Sequence, residues 1–155
     1  MTQEDKELLL EDLSARVPFK VKLYIESLVN PIIHDKGIRT LATVLPTRGA
    51  IEYDIQGSNQ GIIVELVKPI LRPLSSMTDE ERKELKILFD AEEVTNDSIG
   101  FLEGGTLEDY VSQIGFSFCG EITSWLISHH FDYRNLIDKG LAVSELDFRA
   151  YGRRG

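Results

Sequence analysis

The sequence predicts an α+β fold in which a small antiparallel sheet of three to four strands packs against about three helices. Three observations predict it. Apolar residues recur at helical spacing after Thr2, the period switches to two at Phe19, and a capping box at Thr78 opens a second helical stretch. At 155 residues the chain matches one domain, expected over 1–146 with a flexible tail at 147–155. Hydrophobic residues at 42% against 28% charged give a globular rather than a disordered composition.

The first helix is expected over 2–17. Thr2 caps it, Glu4 and Asp5 suit the positive end of its dipole, and Leu9, Leu10, Leu13 and Val17 form the inward stripe. Pro18 ends it. Phe19, Val21, Leu23 and Ile25 then alternate with Lys20, Lys22, Tyr24 and Glu26, the pattern of a half-buried strand. Residues 27–37, with Asn30-Pro31 and Lys36-Gly37, read as a connecting loop or long hairpin tip. Ile38–Leu45 is a second strand, turned back by Pro46-Thr47-Arg48-Gly49 into a third at Ile51–Ile55. After Gly57–Gly61, the short apolar run Ile62–Val67 reads as a fourth strand, with a helical turn as the alternative, and is limited by Pro69 and Pro73.

A helix over 78–92 starts from the Thr78-Asp79-Glu80-Glu81 box, with Leu85, Leu88 and Phe89 facing inward. An acidic loop follows at 94–105. The longest helix is expected over 106–130, from the Thr106 cap through Ile122, Trp125, Leu126 and His129. A helical turn at 134–139 stops at Gly140.

Charge narrows the function classes. The formal net charge of −9 argues against direct nucleic-acid binding, whose affinity rests on phosphate contacts from basic residues. Residues 78–109 hold eleven acids and three bases, so nearly all the excess sits there. That acidity can steer and select a basic protein partner. No stretch reaches the roughly 18 apolar residues of a membrane span, and the amino terminus lacks the basic start and apolar core of a secretion signal, so a cytoplasmic location is expected. Cys119 is a single thiol on an apolar helical pattern, which reads as a small core residue.

The blocks Lys68-Pro69-Ile70-Leu71-Arg72-Pro73-Leu74-Ser75-Ser76-Met77-Thr78-Asp79-Glu80-Glu81 and Trp125-Leu126-Ile127-Ser128-His129-His130-Phe131-Asp132-Tyr133-Arg134-Asn135-Leu136-Ile137 resemble a family of small uncharacterised proteins from Bacteroides-type gut bacteria and their prophages. The opening Gln3–Leu10 is similar to that family's as well. The resemblance covers about a quarter of the chain and implies no activity, cofactor or catalytic residue.

The residues that suggest chemistry are His129, His130, Asp132 and Arg134, a candidate polar site. Adjacent histidines on a helix point about 100° apart and cannot share a metal as an i, i+4 pair would. A metal would need His130 and Asp132 with a distant His34, Asp35 or Glu121. The bland account is that the histidines close the helix, where positive charge suits the dipole, and that Phe131 and Tyr133 anchor the following turn. Phosphate-loop, dinucleotide, zinc-protease and nucleophile-elbow motifs are absent, so the sequence leans away from an enzyme and from any cofactor. The expected function is a protein-interaction module that docks a partner on Asp79, Glu80, Glu84, Glu92 and Glu93. Lys20, Lys22 and Arg39 on an exposed sheet face would offer the opposite sign for self-association. A prophage-linked acidic mimic of nucleic acid that inhibits a host protein is the alternative; a small enzyme or metal-binding protein built on 129–134 is the next.

Overall fold

A computed structural model describes residues 1–91 and 120–147. The chain forms two compact units, one from Met1–Leu71 with Leu136–Gly155 and the other from Arg72–Asn135.

The first unit opens with α1, Gln3–Arg16, whose cap is the expected one: Thr2 Oγ1 accepts from the Asp5 amide at 3.1 Å. Leu9, Leu10 and Leu13 are buried. So are two residues the apolar stripe did not include, Asp12 and Arg16, both with side chains 0% exposed. Arg16 Nε donates to Asp12 Oδ2 at 2.7 Å and Nη2 donates to Oδ1 at 3.3 Å, a two-pronged pair at helical i, i+4 spacing. A short 3₁₀ turn, Val17–Phe19, ends in Lys20 at a left-handed φ of 53°. That turn moves Phe19 out of the strand expected for it, and Phe19 is left partly exposed.

The sheet of this unit runs, in spatial order, β4 (Ser58–Ile63), β3 (Ala50–Ile55), β2 (Ile38–Leu45), β1 (Lys22–Tyr24) and β5 (Lys68–Pro73). β1, Lys22–Tyr24, is shorter than its alternation suggests, although Val21, Leu23 and Ile25 are all fully buried as expected. It pairs antiparallel with β2, Ile38–Leu45, which pairs antiparallel with β3, Ala50–Ile55, through a bulge at Ala42. Leu23 sits opposite Arg39 and Lys22 opposite Thr40. Arg39 therefore lies on the other face of the sheet from Lys22, which corrects the expected face of Lys20, Lys22 and Arg39.

The larger correction concerns sheet size and type. Among the described residues there are seven strands rather than three to four, and the sheet is mixed. β4 is Ser58–Ile63 rather than Ile62–Val67, because the reversal is a two-residue turn at Gln56-Gly57 with φ of 49° and 88°, and Val64–Leu66 forms a 3₁₀ turn. β5, Lys68–Pro73, forms despite its two prolines, and β1 pairs with its first residues, Lys68 and Pro69. Its residues Ile70 and Leu71 pair in parallel with β7, Val143–Ser144. Leu9, Leu13, Val21, Leu23, Ile51 and Leu71 lie in one core cluster, and Leu136, Leu141 and Ala142 from the far end of the sequence join it. Residues 136–140 form a hydrogen-bonded turn rather than a helical one, closed by Gly140 at φ 74°.

In the second unit, the last residues of β5 pair in parallel with β6, Phe131–Asp132, with Arg72 opposite Phe131. α2 is Asp79–Ala91 and carries the expected capping box in both directions: Glu81 N donates to Thr78 Oγ1 at 3.2 Å and Thr78 N to Glu81 Oε1 at 3.0 Å. α3 is Gly120–Ser128. The rest of the expected 106–130 helix, the 94–105 loop, Cys119 and the tail from 148 lie outside the described residues. Leu74, Met77, Leu85, Ile122, Leu126 and Phe131 are buried in this unit.

Candidate functional site

Residues of the Lys68–Glu81 and Trp125–Ile137 stretches meet in the second unit. Arg72 N donates to the His130 carbonyl at 2.8 Å, the Arg72 guanidinium stacks over the Phe131 ring at 4.2 Å, and Nη1 reaches the His129 carbonyl at 3.4 Å. The other side of the guanidinium grips Glu81, with Nη2 to Oε1 at 2.7 Å and Nη1 to Oε2 at 2.8 Å. The ring ladder continues from Phe131 to Trp125 at 5.9 Å, and Trp125 stacks on His129 at 4.0 Å. Glu84 closes it, accepting from Trp125 Nε1 at 3.3 Å and standing 4.0 Å from His129 Nε2.

This ladder reassigns several predicted residues. His129 spends Nδ1 on the Trp125 carbonyl at 2.8 Å, a bond only the protonated nitrogen can donate, which leaves Nε2 facing Glu84. His130 ends the helix at a left-handed φ of 64° and offers its carbonyl to Arg72. Asp132 is buried in β6, and the Arg134 guanidinium lies 5.3 Å from the neighbouring Tyr133 ring. No group of three metal-binding side chains occurs among the described residues. Asp35, one of the distant ligands that the sequence offers, is engaged by Arg39. The segment 129–134 thus holds a helix end against a strand end.

Arg72 holds the Glu81 carboxyl, through its hydrogen bonds, far below the usual 4.5, to about 2; partial burial opposes this and the Thr78 amide assists it. Because the folded value is depressed, the stabilisation is complete above pH 4.5 and is lost as pH falls toward about 2. Acid titration followed by Trp125 fluorescence is expected to show this loss in the wild type. In Glu81→Gln, stability should be lower at neutral pH and should fall less steeply over the same window, in which Asp35 still titrates; an unchanged acid profile would remove Glu81 from this role.

Of the docking residues, Asp79 and Glu80 are exposed in the first turn of α2, and Glu84 is exposed but tied to Trp125. Glu92 and Glu93 lie outside the described residues. Arg82, Lys83 and Lys86 share α2 with the acids, so the helix surface that is described carries both signs.

Sequence reasoning passed over a second candidate, the tip of the β1–β2 connection. Ile32 is 87% exposed and Ile33 69%, with Val29 beside them at 43%. The backbone beneath is braced. Asn30 and Asp35 exchange both backbone hydrogen bonds, at 2.8 and 2.9 Å, and Asn30 Oδ1 accepts from Ile32 N at 2.9 Å. The Asp35 carboxylate takes two prongs from Arg39, at 2.6 and 3.0 Å, and the Gly37 amide at 2.8 Å. Those Arg39 bonds first, then the amide, hold the Asp35 carboxyl down at about 2. Gly37 has φ 73°, and a Cβ there would come within 2.5 Å of the Ile25 carbonyl oxygen, so the base of the tip accepts only glycine. The signal available in the sequence was an apolar Ile-Ile pair set between Asn30-Pro31 and Gly37. Compared with known proteins, the chain matches no family model, no curated protein and no solved structure.

Proposed function

We propose that this chain is a non-enzymatic protein-interaction module whose principal anchor is the apolar tip at Val29–His34. The observation that carries the proposal is the exposure of Ile32 and Ile33, 87% and 69%, on a backbone already fixed by the Asn30–Asp35 bridge and the Arg39 clamp. Large aliphatic side chains held in water on a rigid loop cost the free chain hydration and return it when a partner's apolar cleft receives them. Rigidity matters as much as exposure, since little ordering entropy is left to lose on binding. The acidic docking surface stays in the proposal through Asp79 and Glu80, which suit a basic segment. With Arg82, Lys83 and Lys86 interleaved among the acids of α2, the tip is the stronger anchor.

The test is an affinity capture from a Bacteroides-type lysate, the kind of host the resemblance suggests. Ile32→Ser/Ile33→Ser is expected to change stability by less than about 0.5 kcal/mol, as exposed substitutions do. The same variant should lose a partner that wild type and Asp79→Lys/Glu80→Lys retain, with affinity down about tenfold or more. If the isoleucine variant keeps the partner and the charge-reversed one loses it, the anchor is the acidic helix instead.

A further inference from the structure

β4 closes one side of the first unit's sheet, and among the described residues no strand pairs with its outer edge. Six residues, Ser58–Ile63, pair with β3 in unbroken register from Ile55↔Ser58 to Ala50↔Ile63. Two fixed points set which backbone groups point inward. The tight Gln56-Gly57 turn makes Ile55 and Ser58 a hydrogen-bonded pair, and at the other end Val64 N donates to the Gly49 carbonyl at 3.0 Å. Antiparallel ladders alternate, so Ser58, Gln60 and Ile62 turn their amides and carbonyls toward β3. Asn59, Gly61 and Ile63 turn theirs outward, and all three residues are exposed.

Natural edge strands are blunted by charge, proline, a bulge or a covering element. β4 has none of the first three, and its exposure argues against the fourth. From Ile55 to Val64 the chain carries ten consecutive uncharged residues, with no proline. The β3–β4 register has no bulge, unlike that of β2 and β3.

We infer that a second copy of this chain occupies the edge, β4 pairing antiparallel with β4 about a two-fold axis at Gly61. The uncharged edge permits this occupant, and the residue pattern favours it. A chain of net charge −9 repels its own copies over most surfaces, and here two copies meet with no charge facing another. Self-complementarity follows from the pattern. With Gly61 of each copy face to face, Asn59 stands opposite Ile63 on both sides, and every outward amide and carbonyl is used in about six backbone hydrogen bonds. Glycine at the axis removes any side-chain clash where like residues must meet. The sheets of the two copies then continue into one another, and the isoleucine tip takes no part.

Analytical ultracentrifugation of the full chain, from micromolar to submillimolar concentration, tests this. The expected result is a monomer–dimer equilibrium that Gly61→Lys and Gly61→Pro each weaken about tenfold or more. Lysine sets like charges opposite one another; proline removes an outward amide. Neither breaks the β3–β4 ladder, and a Cβ at Gly61 meets nothing closer than the Ile51 carbonyl oxygen at 4.0 Å. Ile32→Ser/Ile33→Ser should leave the equilibrium unchanged, which separates this inference from the tip. Amide hydrogen exchange on the wild type gives a reading independent of the variants: Asn59, Gly61 and Ile63 should gain protection as concentration rises. A wild type that stays monomeric throughout, leaving the edge to a foreign strand, overturns the inference. So does a dimer whose affinity and edge protection ignore Gly61.

Discussion

Replacing Asp12 with alanine is expected to destabilise the first unit by about 3–5 kcal/mol. The substitution takes from the Arg16 guanidinium, 0% exposed, the carboxylate that it holds at 2.7 Å. Alanine's better helix propensity returns only about 0.5 kcal/mol, too little to alter the sign. The companion experiment is Asp12→Leu/Arg16→Met. Removing both charges and keeping apolar volume should restore most of the lost stability, because an ion pair out of water regains little more than its own desolvation. Urea unfolding followed by far-UV circular dichroism reads both variants. A loss below about 1 kcal/mol for Asp12→Ala would mean that water reaches the pair.

Phe131→Ala is expected to cost about 3–5 kcal/mol in the second unit. Phe131 is fully buried and serves three neighbours: the Arg72 guanidinium on its face, Trp125 at 5.9 Å, and His129 at 6.4 Å. Phe131→Leu divides the effect. Leucine keeps most of the apolar volume and loses the interaction of ring with cation and ring with ring, so a loss of about 1–3 kcal/mol is expected. The single tryptophan of the chain, Trp125, belongs to this unit and reports its unfolding directly. Equal losses for the alanine and leucine variants would assign the whole effect to the stacking, and no loss for leucine would assign it to volume alone.

The sequence and the structure agree where the signal is local. The Thr2 cap, the boundaries of Ile38–Leu45 and both halves of the Thr78–Glu81 box follow from residues within one turn or one strand of each other. Alternation over Val21, Leu23 and Ile25 identified buried positions correctly even though only Lys22–Tyr24 pairs as strand. Agreement fails where pairing is supplied from a distance. Ser-Asn-Gln-Gly shows no alternation of apolar and polar residues and becomes part of β4 because β3 is its template, while the reversal falls on Gln56, a residue type uncommon at positive φ. β6 and β7 are two residues each and parallel, too short for any period to show. The site follows the same division. Glu81 was legible as a capping residue; its grip on Arg72 was not, since that depends on how β5 enters α2. Asp12 and Arg16 stand at a readable i, i+4 spacing, but spacing does not reveal burial. Nor did an Ile-Ile pair announce that it faces water.

The first unit is discontinuous in sequence: Arg72–Asn135 intervenes between β5 and the residues that finish its core. Order of synthesis therefore matters to it. β2, β3 and β4 are joined by short turns and can pair as soon as residue 63 has left the ribosome, whereas Leu136, Leu141 and Ala142 reach the cluster only after the intervening segment has been made. Until then Leu71 lacks its partner strand at β7, and the nascent sheet keeps apolar surface exposed for the time needed to translate the whole of the second unit.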